Sequence, residues 1–314
     1  MRRFISVLIG ALAAGLWPVQ PAAAEFGGAF AAIALGPRSQ GMGGAFTAVA
    51  TGAAAPYWNP AGLVGGSDNS AQTAYQPMPL DRRLNSLSLA LSRRRELGVG
   101  FTWLHASVGD IQGRSGDGLP GGRIEDAENA YYMSVARALG QRLVIGFTMK
   151  ILNQRLDVPQ RPAATADGHG FDLGLGFNMG DRTRLAVVLR NLNAELNWKV
   201  RRGNQQTTNT TDAWPTVAVL GLAHAPRPGL LLAADLHSGV ERHVNLGAEW
   251  VATPVLTVRG GLERVAGEDE ALGSPTAGLS LSPMRSQLLQ FHYGYADDPL
   301  GTGSRNSVGL SARF

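Results

Sequence analysis

From about residue 69 to the C-terminus, apolar side chains recur at every second position, in stretches of about ten residues. In "FDLGLGFNM", Phe171, Leu173, Leu175 and Phe177 fall on one face and Asp172, Gly174, Gly176 and Asn178 on the other. "HVNLGAEW" sets Val244, Leu246, Ala248 and Trp250 against His243, Asn245, Gly247 and Glu249. "LLQFHYGY" and "VLTVRGGLE" repeat the pattern. A period of two is that of a β-strand with unlike faces. Fourteen such stretches follow one another, near 69–77, 85–93, 97–108, 128–138, 143–156, 169–178, 184–199, 214–224, 229–237, 241–251, 255–265, 275–282, 287–296 and 304–314. An even number closes a bacterial barrel with both ends on one side.

The connections sort by parity. Counted from the first stretch, even-to-odd links are short: "RRRE", "GQR", "GDR", "PRPG", "TP", "PMRS". Odd-to-even links are mostly long, such as "GDIQGRSGDGLPGGRIED" and "RRGNQQTTNTTD"; "SGVE" and "PLDRR" are the exceptions. Tight turns on one side and long loops on the other are the pattern of an outer-membrane barrel, whereas a soluble sandwich has no reason to sort its loops. The sequence therefore predicts an all-β fold, a transmembrane antiparallel barrel of about 14 strands over residues 67–314. In lipid every backbone N–H and C=O must pair within the protein, so the sheet must close. The apolar faces then meet lipid, and the faces bearing Asp172, Asp235, Glu249, Glu263, Lys150, Arg190, Arg259 and Arg313 line the lumen. Tyr75, Trp103, Tyr131, Trp198, Trp214, Trp250, Tyr293, Tyr295 and Phe314 lie near strand ends, as interfacial girdles do. The last strand alternates Val308, Leu310, Ala312 and Phe314 with Ser307, Gly309, Ser311 and Arg313. It resembles the terminal strand by which the barrel-assembly machinery recognises its clients, with Val308, Leu310, Ala312 and Phe314 as the assembly signal.

The opening residues predict export. "MRRF" is a basic start and "ISVLIGALAAGLW" an apolar core, followed by small residues at Ala22 and Ala24. Residues 1–24 read as a Sec-type signal cleaved near Ala24, which directs the chain to the bacterial outer membrane. Loss of Arg2 and Arg3 from the 28 basic residues leaves 26 against 24 acidic ones. That surplus is too small for a polyanion partner, and no basic run interleaved with aromatics points to nucleic acid. No later stretch holds 18 consecutive apolar residues, so no transmembrane helix is expected.

A lumen ringed by fourteen strands is wider than its own side chains can fill. Residues 25–66, just before the first strand, are the candidate plug, or hatch. They are too short and glycine-rich for a domain. Gly41, Gly43 and Gly44 permit tight turns and close approach. Asn59 can cap a short helix with Pro60 at its first position, Gly62 can close it, and Tyr57 and Trp58 supply burial area. The stretch "GPRSQGMGGAFTAVATGAAAPYWNPAGL" resembles the N-terminal signature of the FadL-like outer-membrane barrels and, within them, the PorV/PorQ branch. The matching positions are Gly36, Arg38, Gly41, Met42, Gly43, Gly44, Ala45, Phe46, Val49, Ala50, Trp58, Asn59, Pro60, Ala61, Gly62 and Leu63. The resemblance implies a hatch inside a fourteen-stranded barrel and passage of small hydrophobic compounds, with Phe46, Tyr57 and Trp58 as candidate ligand-lining residues. Its PorV side implies instead a component of protein secretion or surface attachment, with a secreted protein as partner. Where the pattern has an acidic pair after Val-Ala, this chain has Thr51 and Gly52, so any anchoring by those carboxylates does not carry over.

Catalytic sets are not evident. The chain has no cysteine, no G-x-S-x-G elbow and no metal-spaced histidine pair on a helix. His243 and His292 read as polar lining, and "GDGLPGG" and "GEDE" as solvated loops. The reading is a non-enzyme without cofactor or metal. Its expected partners are outer-membrane lipid, the assembly machinery, and either a hydrophobic small molecule or a secreted protein.

Overall fold

Among the described residues of the computed structural model, fifteen strands form one antiparallel sheet that closes on itself. It describes residues 30, 33–66, 69–93, 96–114, 116–159, 162–202, 205–239, 242–265, 273–283, 288–298 and 301–314. The expected signal, residues 1–24, and most of 25–32 lie outside the described residues.

The strands run in chain order around the ring: β1 (Ser70–Met78), β2 (Arg82–Arg93), β3 (Leu97–Arg114), β4 (Pro120–Leu139), β5 (Leu143–Asp157), β6 (Ala164–Asn178), β7 (Thr183–Arg202), β8 (Gln205–Ala213), β9 (Val217–Arg227), β10 (Leu230–Ser238), β11 (His243–Val251), β12 (Leu256–Val265), β13 (Ser274–Leu281), β14 (Leu289–Asp297) and β15 (Ser304–Arg313). β1 pairs β15, from Ser70 opposite Arg313 to Tyr75 opposite Val308, and this seam closes the barrel. Phe314 extends it by donating its N–H to the Asn69 carbonyl at 3.0 Å. The terminal strand read as an assembly signal is thus one half of the seam, with Val308 and Phe314 exposed on it.

The ring has fourteen wall positions, because β8 and β9 share one. β8 pairs the upper part of β7 and β9 the lower part. Pro215 has no N–H to give a ladder, and the wall breaks at Trp214–Thr216. Opposite the break β7 bulges, with Asn191 and Asn193 at φ 60 and 49. One side-chain and one backbone bond stitch the gap: Asn191 Nδ2 donates to the Pro215 carbonyl at 3.1 Å, and the Trp214 backbone N–H donates to the Ala194 carbonyl at 2.9 Å.

Two expectations are corrected here. "RRGNQQTTNTTD" is not a free loop but contains most of β8, and much of "GDIQGRSGDGLPGGRIED" continues β3 and β4 as a tall hairpin. Backbone pairing in these segments is carried by Thr, Gln, Arg and Gly, without the apolar alternation that marks membrane depth. β3 to β7 run 15 to 20 residues, whereas β9 to β15 run 8 to 11, so the wall is much higher on one side.

Face alternation follows the sequence. Leu87, Leu89 and Leu91 are exposed on the outside of β2, and Ser86, Ser88 and Ala90 are buried inside. Tyr75, Trp250, Tyr293 and Phe314 are likewise exposed. Trp214 is not a girdle residue: it is buried, 6% exposed, because the wall break turns it into the lumen. Leu173 sits midway along the lower wall of β6, beside Phe147 and Leu189. A Leu173→Arg variant is expected to lose about 2–4 kcal/mol of folding stability in bilayers. Urea unfolding in phospholipid vesicles would check it; an unchanged midpoint would place Leu173 away from lipid.

Candidate functional site

Residues 33–66 fill the ring's interior. They fold as helical turns at Pro37–Gln40 and Ala55–Trp58 and as 3-10 turns at Gly52–Ala54 and Pro60–Val64. Asn59 is extended and accepts the Ala61 N–H at 3.0 Å, with Pro60 first in the turn it caps. Gly43 and Gly44 take φ 61 and 70, a turn that side chains with a Cβ adopt at a cost.

The hatch touches the wall at backbone distance nearly all the way round. Pro37 lies on Gly294 and Gly309, Gly41 on Gly278, Met42 on Gly247 and Gly261, Thr47 on Gly221, Asn59 on Gly174, Pro60 on Gly146, and Leu63 on Gly98 and Gly100. In each wall glycine a Cβ would overlap the hatch; at Gly294 it would meet the Pro37 carbonyl at 2.7 Å. Many of the 41 glycines therefore mark where strands face this segment.

Polar wall residues hold it. Asp235, fully buried, accepts the N–H groups of Phe46 and Thr47 at 2.9 and 2.8 Å on one oxygen. Arg190 donates to the Trp58 carbonyl at 2.7 Å and lies over the Tyr57 and Trp58 rings. Arg38 grips Glu249 with two hydrogen bonds of 2.8 Å and covers the Phe46 ring. Glu249 also accepts from Arg259 at 2.6 Å, and Ser280, His292 and Ser311 continue the chain of contacts. Gln40 donates to the Arg305 carbonyl at 2.8 Å and accepts from Ser307. Asn59 donates to the Leu175 carbonyl at 3.3 Å. The hatch is thus anchored by acids on the wall, Asp235 and Glu249.

The lumen charges pair rather than form a selective ring: Lys150 with Asp172 at 2.7 Å, Arg259 with Glu249, and Arg305 with Glu263. His292 is polar lining, between Ser280 and Ser311. His243 stacks on His237, ring centroids 4.5 Å apart. Among the described residues no three His, Asp or Glu side chains converge as metal ligands.

Phe46, Tyr57 and Trp58 are brought together, with Phe46 and Tyr57 each 5.5 Å from Trp58. Tyr132 of β4 joins them, 5.5 Å from Tyr57, and Lys150 lies 5.4 Å from the Tyr132 ring and 5.9 Å from that of Trp214. Leu104, Leu152 and Leu196, all fully buried, back this aromatic cluster, giving the β3–β7 side of the lumen an apolar lining. The Tyr57 hydroxyl donates to the Ile33 carbonyl at 2.6 Å, and burial pushes its pKa above the ordinary phenol value against the opposing Arg190 charge. A separate cavity of about 380 Å³ opens at the lower rim between hatch and wall. Its lining is largely polar, including Arg38, Glu249, Arg259, Gln290 and His292. Of the three candidate lining residues it reaches Phe46 but neither Tyr57 nor Trp58. Sequence reasoning missed Tyr132 and misplaced Trp214; the proline beside Trp214 was the available signal for a wall break.

The fold and this interior define a closed fourteen-position barrel plugged by its own N-terminal segment. Solved structures with this fold include the toluene transporter TodX of Pseudomonas putida, at TM-score 0.61 and 13% identity over 88% of this chain and 96% of that one. The monoaromatic hydrocarbon channel CymD matches at TM-score 0.58 and 14% identity, over 89% and 97%. A FadL homologue of Pseudomonas aeruginosa matches at 0.59 and 11%, over 88% and 97%. No family model matches the sequence, and no curated protein is significantly similar to it.

Proposed function

We propose that the protein is an outer-membrane channel for small hydrophobic compounds, gated by its N-terminal hatch. The observation that carries this reading is the aromatic cluster of Tyr57, Trp58, Tyr132 and Trp214, set between the hatch and the apolar arc of the wall. A lumen serving water-soluble ions would not be lined this way. The similarity of fold to hydrocarbon channels adds support, although one fold hosts many functions. In this reading the compound enters from outside, rests against the aromatic cluster and leaves once the hatch shifts. The resemblance to PorV-type barrels keeps a role in protein secretion or surface attachment as the competing outcome.

Reconstituted in liposomes, the mature protein is expected to take up a hydrophobic tracer while carrying little ion current. Trp58→Ala is expected to cut uptake at least tenfold. Deleting residues 25–66 is expected to raise ion conductance by an order of magnitude. No tracer movement in either form would end the channel reading and favour the protein-partner one.

A further inference from the structure

The cavity at the lower rim, between hatch and wall, carries an unbalanced charge. Among the described residues that line it Glu249 is the one acid, and two guanidiniums share its carboxylate. Arg38, from the hatch, donates to it through Nε and Nη2, the two-point grip that matches a carboxylate. Arg259, from β12, reaches the oxygen already engaged by Arg38 Nε, through its own Nε alone, and donates Nη1 to the Ser280 hydroxyl. Among the described residues neither Arg38 Nη1 nor Arg259 Nη2 has a hydrogen-bond partner. One positive charge is thus left over beside a side chain only 3% exposed. A buried charge is stable where an opposite charge meets it, and the described lining offers no second acid. The space, about 380 Å³, is that of a small-molecule pocket and not of a single ion. Pro37, Phe46, Ala53, Ala54 and Val251 give it apolar surface beside the arginines.

We propose that this cavity binds a small organic carboxylate, held between Arg38 of the hatch and Arg259 of the wall. The guanidinium nitrogens not turned to Glu249 supply charge-assisted donors, and the apolar lining takes the body of the molecule. Because the two arginines belong to different parts of the fold, the bound carboxylate is a further tie between hatch and wall. The site is separate from the aromatic cluster, since neither Tyr57 nor Trp58 lines it, and it stands whether or not the barrel is a channel.

Calorimetric titration of the refolded mature protein in non-ionic micelles at low salt, with benzoate, benzamide and inorganic phosphate as probes, tests it. Benzoate is expected to bind about tenfold tighter than its neutral isostere benzamide, and tighter than phosphate. Arg259→Gln leaves the Arg38–Glu249 pair balanced and is expected to weaken benzoate binding by about tenfold. Glu249→Gln removes the competing acid and is expected to strengthen it. A mere disturbance of the cavity would weaken binding in both variants, so that result, with both still folded, would overturn the assignment. On the unaltered protein chloride is expected to compete with benzoate, a check that needs no variant to fold. Benzamide binding as tightly as benzoate, or indifference to chloride, would overturn the anion inference. Phosphate binding tightest would overturn the organic class in favour of an inorganic oxyanion. Failure of all three probes to bind would remove the site, and uptake of the hydrophobic tracer remains a separate result in every case.

Discussion

Gly146→Val is expected to turn a closed barrel into an open ion pore. Gly146 lies in the turn-proximal part of β5, paired on both sides with Ala136 and Gly174, where valine suits the sheet. The three atoms a Cβ there would strike all belong to Pro60 and Ala61 of the hatch. The wall can therefore accept the substitution only if the hatch backs away. Overpacking of this kind costs about 1–3 kcal/mol or more, all of it charged to the seating of the hatch. Single-channel recording is expected to give a conductance at least ten times that of the parent, close to the form lacking residues 25–66. Valine at Gly109, which has open space around it, serves as the control and is expected to change nothing. A Gly146→Val barrel that stays silent would show that the hatch does not rest on this strand.

Asp235→Ala is expected to loosen the same segment from the other side. One carboxylate oxygen holds two backbone N–H groups of the hatch, those of Phe46 and Thr47. Without it both are stranded in the lumen, at about 1–3 kcal/mol each. Asp235→Asn retains an acceptor oxygen and is expected to behave much more mildly. Amide hydrogen exchange at residues 46–50 should accelerate by at least tenfold in the alanine variant while the strand amides stay protected. Unchanged exchange at Phe46 and Thr47 would mean that the other anchors suffice.

Strand positions and faces were legible because membrane depth imposes a strict period: Leu87, Leu89 and Leu91 look outward as their alternation requires. The upper wall was not, because above the lipid nothing demands apolar side chains. Gln205–Ala213 pairs with β7 although no apolar alternation in its sequence announces a strand. The hatch was legible from Gly43, Gly44 and the Asn59–Pro60 cap, whose roles are local. Its anchors were not. Asp235 and Arg190 stood out as lumen charges, but which carbonyl or N–H each would meet is set by long-range register. Trp214 was misplaced because an aromatic near a strand end reads the same whether it turns to lipid or, past a proline, to the lumen.

A wall that meets its plug at backbone distance leaves the seated segment no play. The contacts on Gly98, Gly146, Gly221, Gly261 and Gly294 come from opposite sides of the ring, so a shift that relieves one side tightens the other. The hatch leads directly into β1, and β1 is one side of the seam with β15. A movement of the plug therefore pulls first on the strand that closes the ring, so the stopper and the joint of the barrel are mechanically one piece.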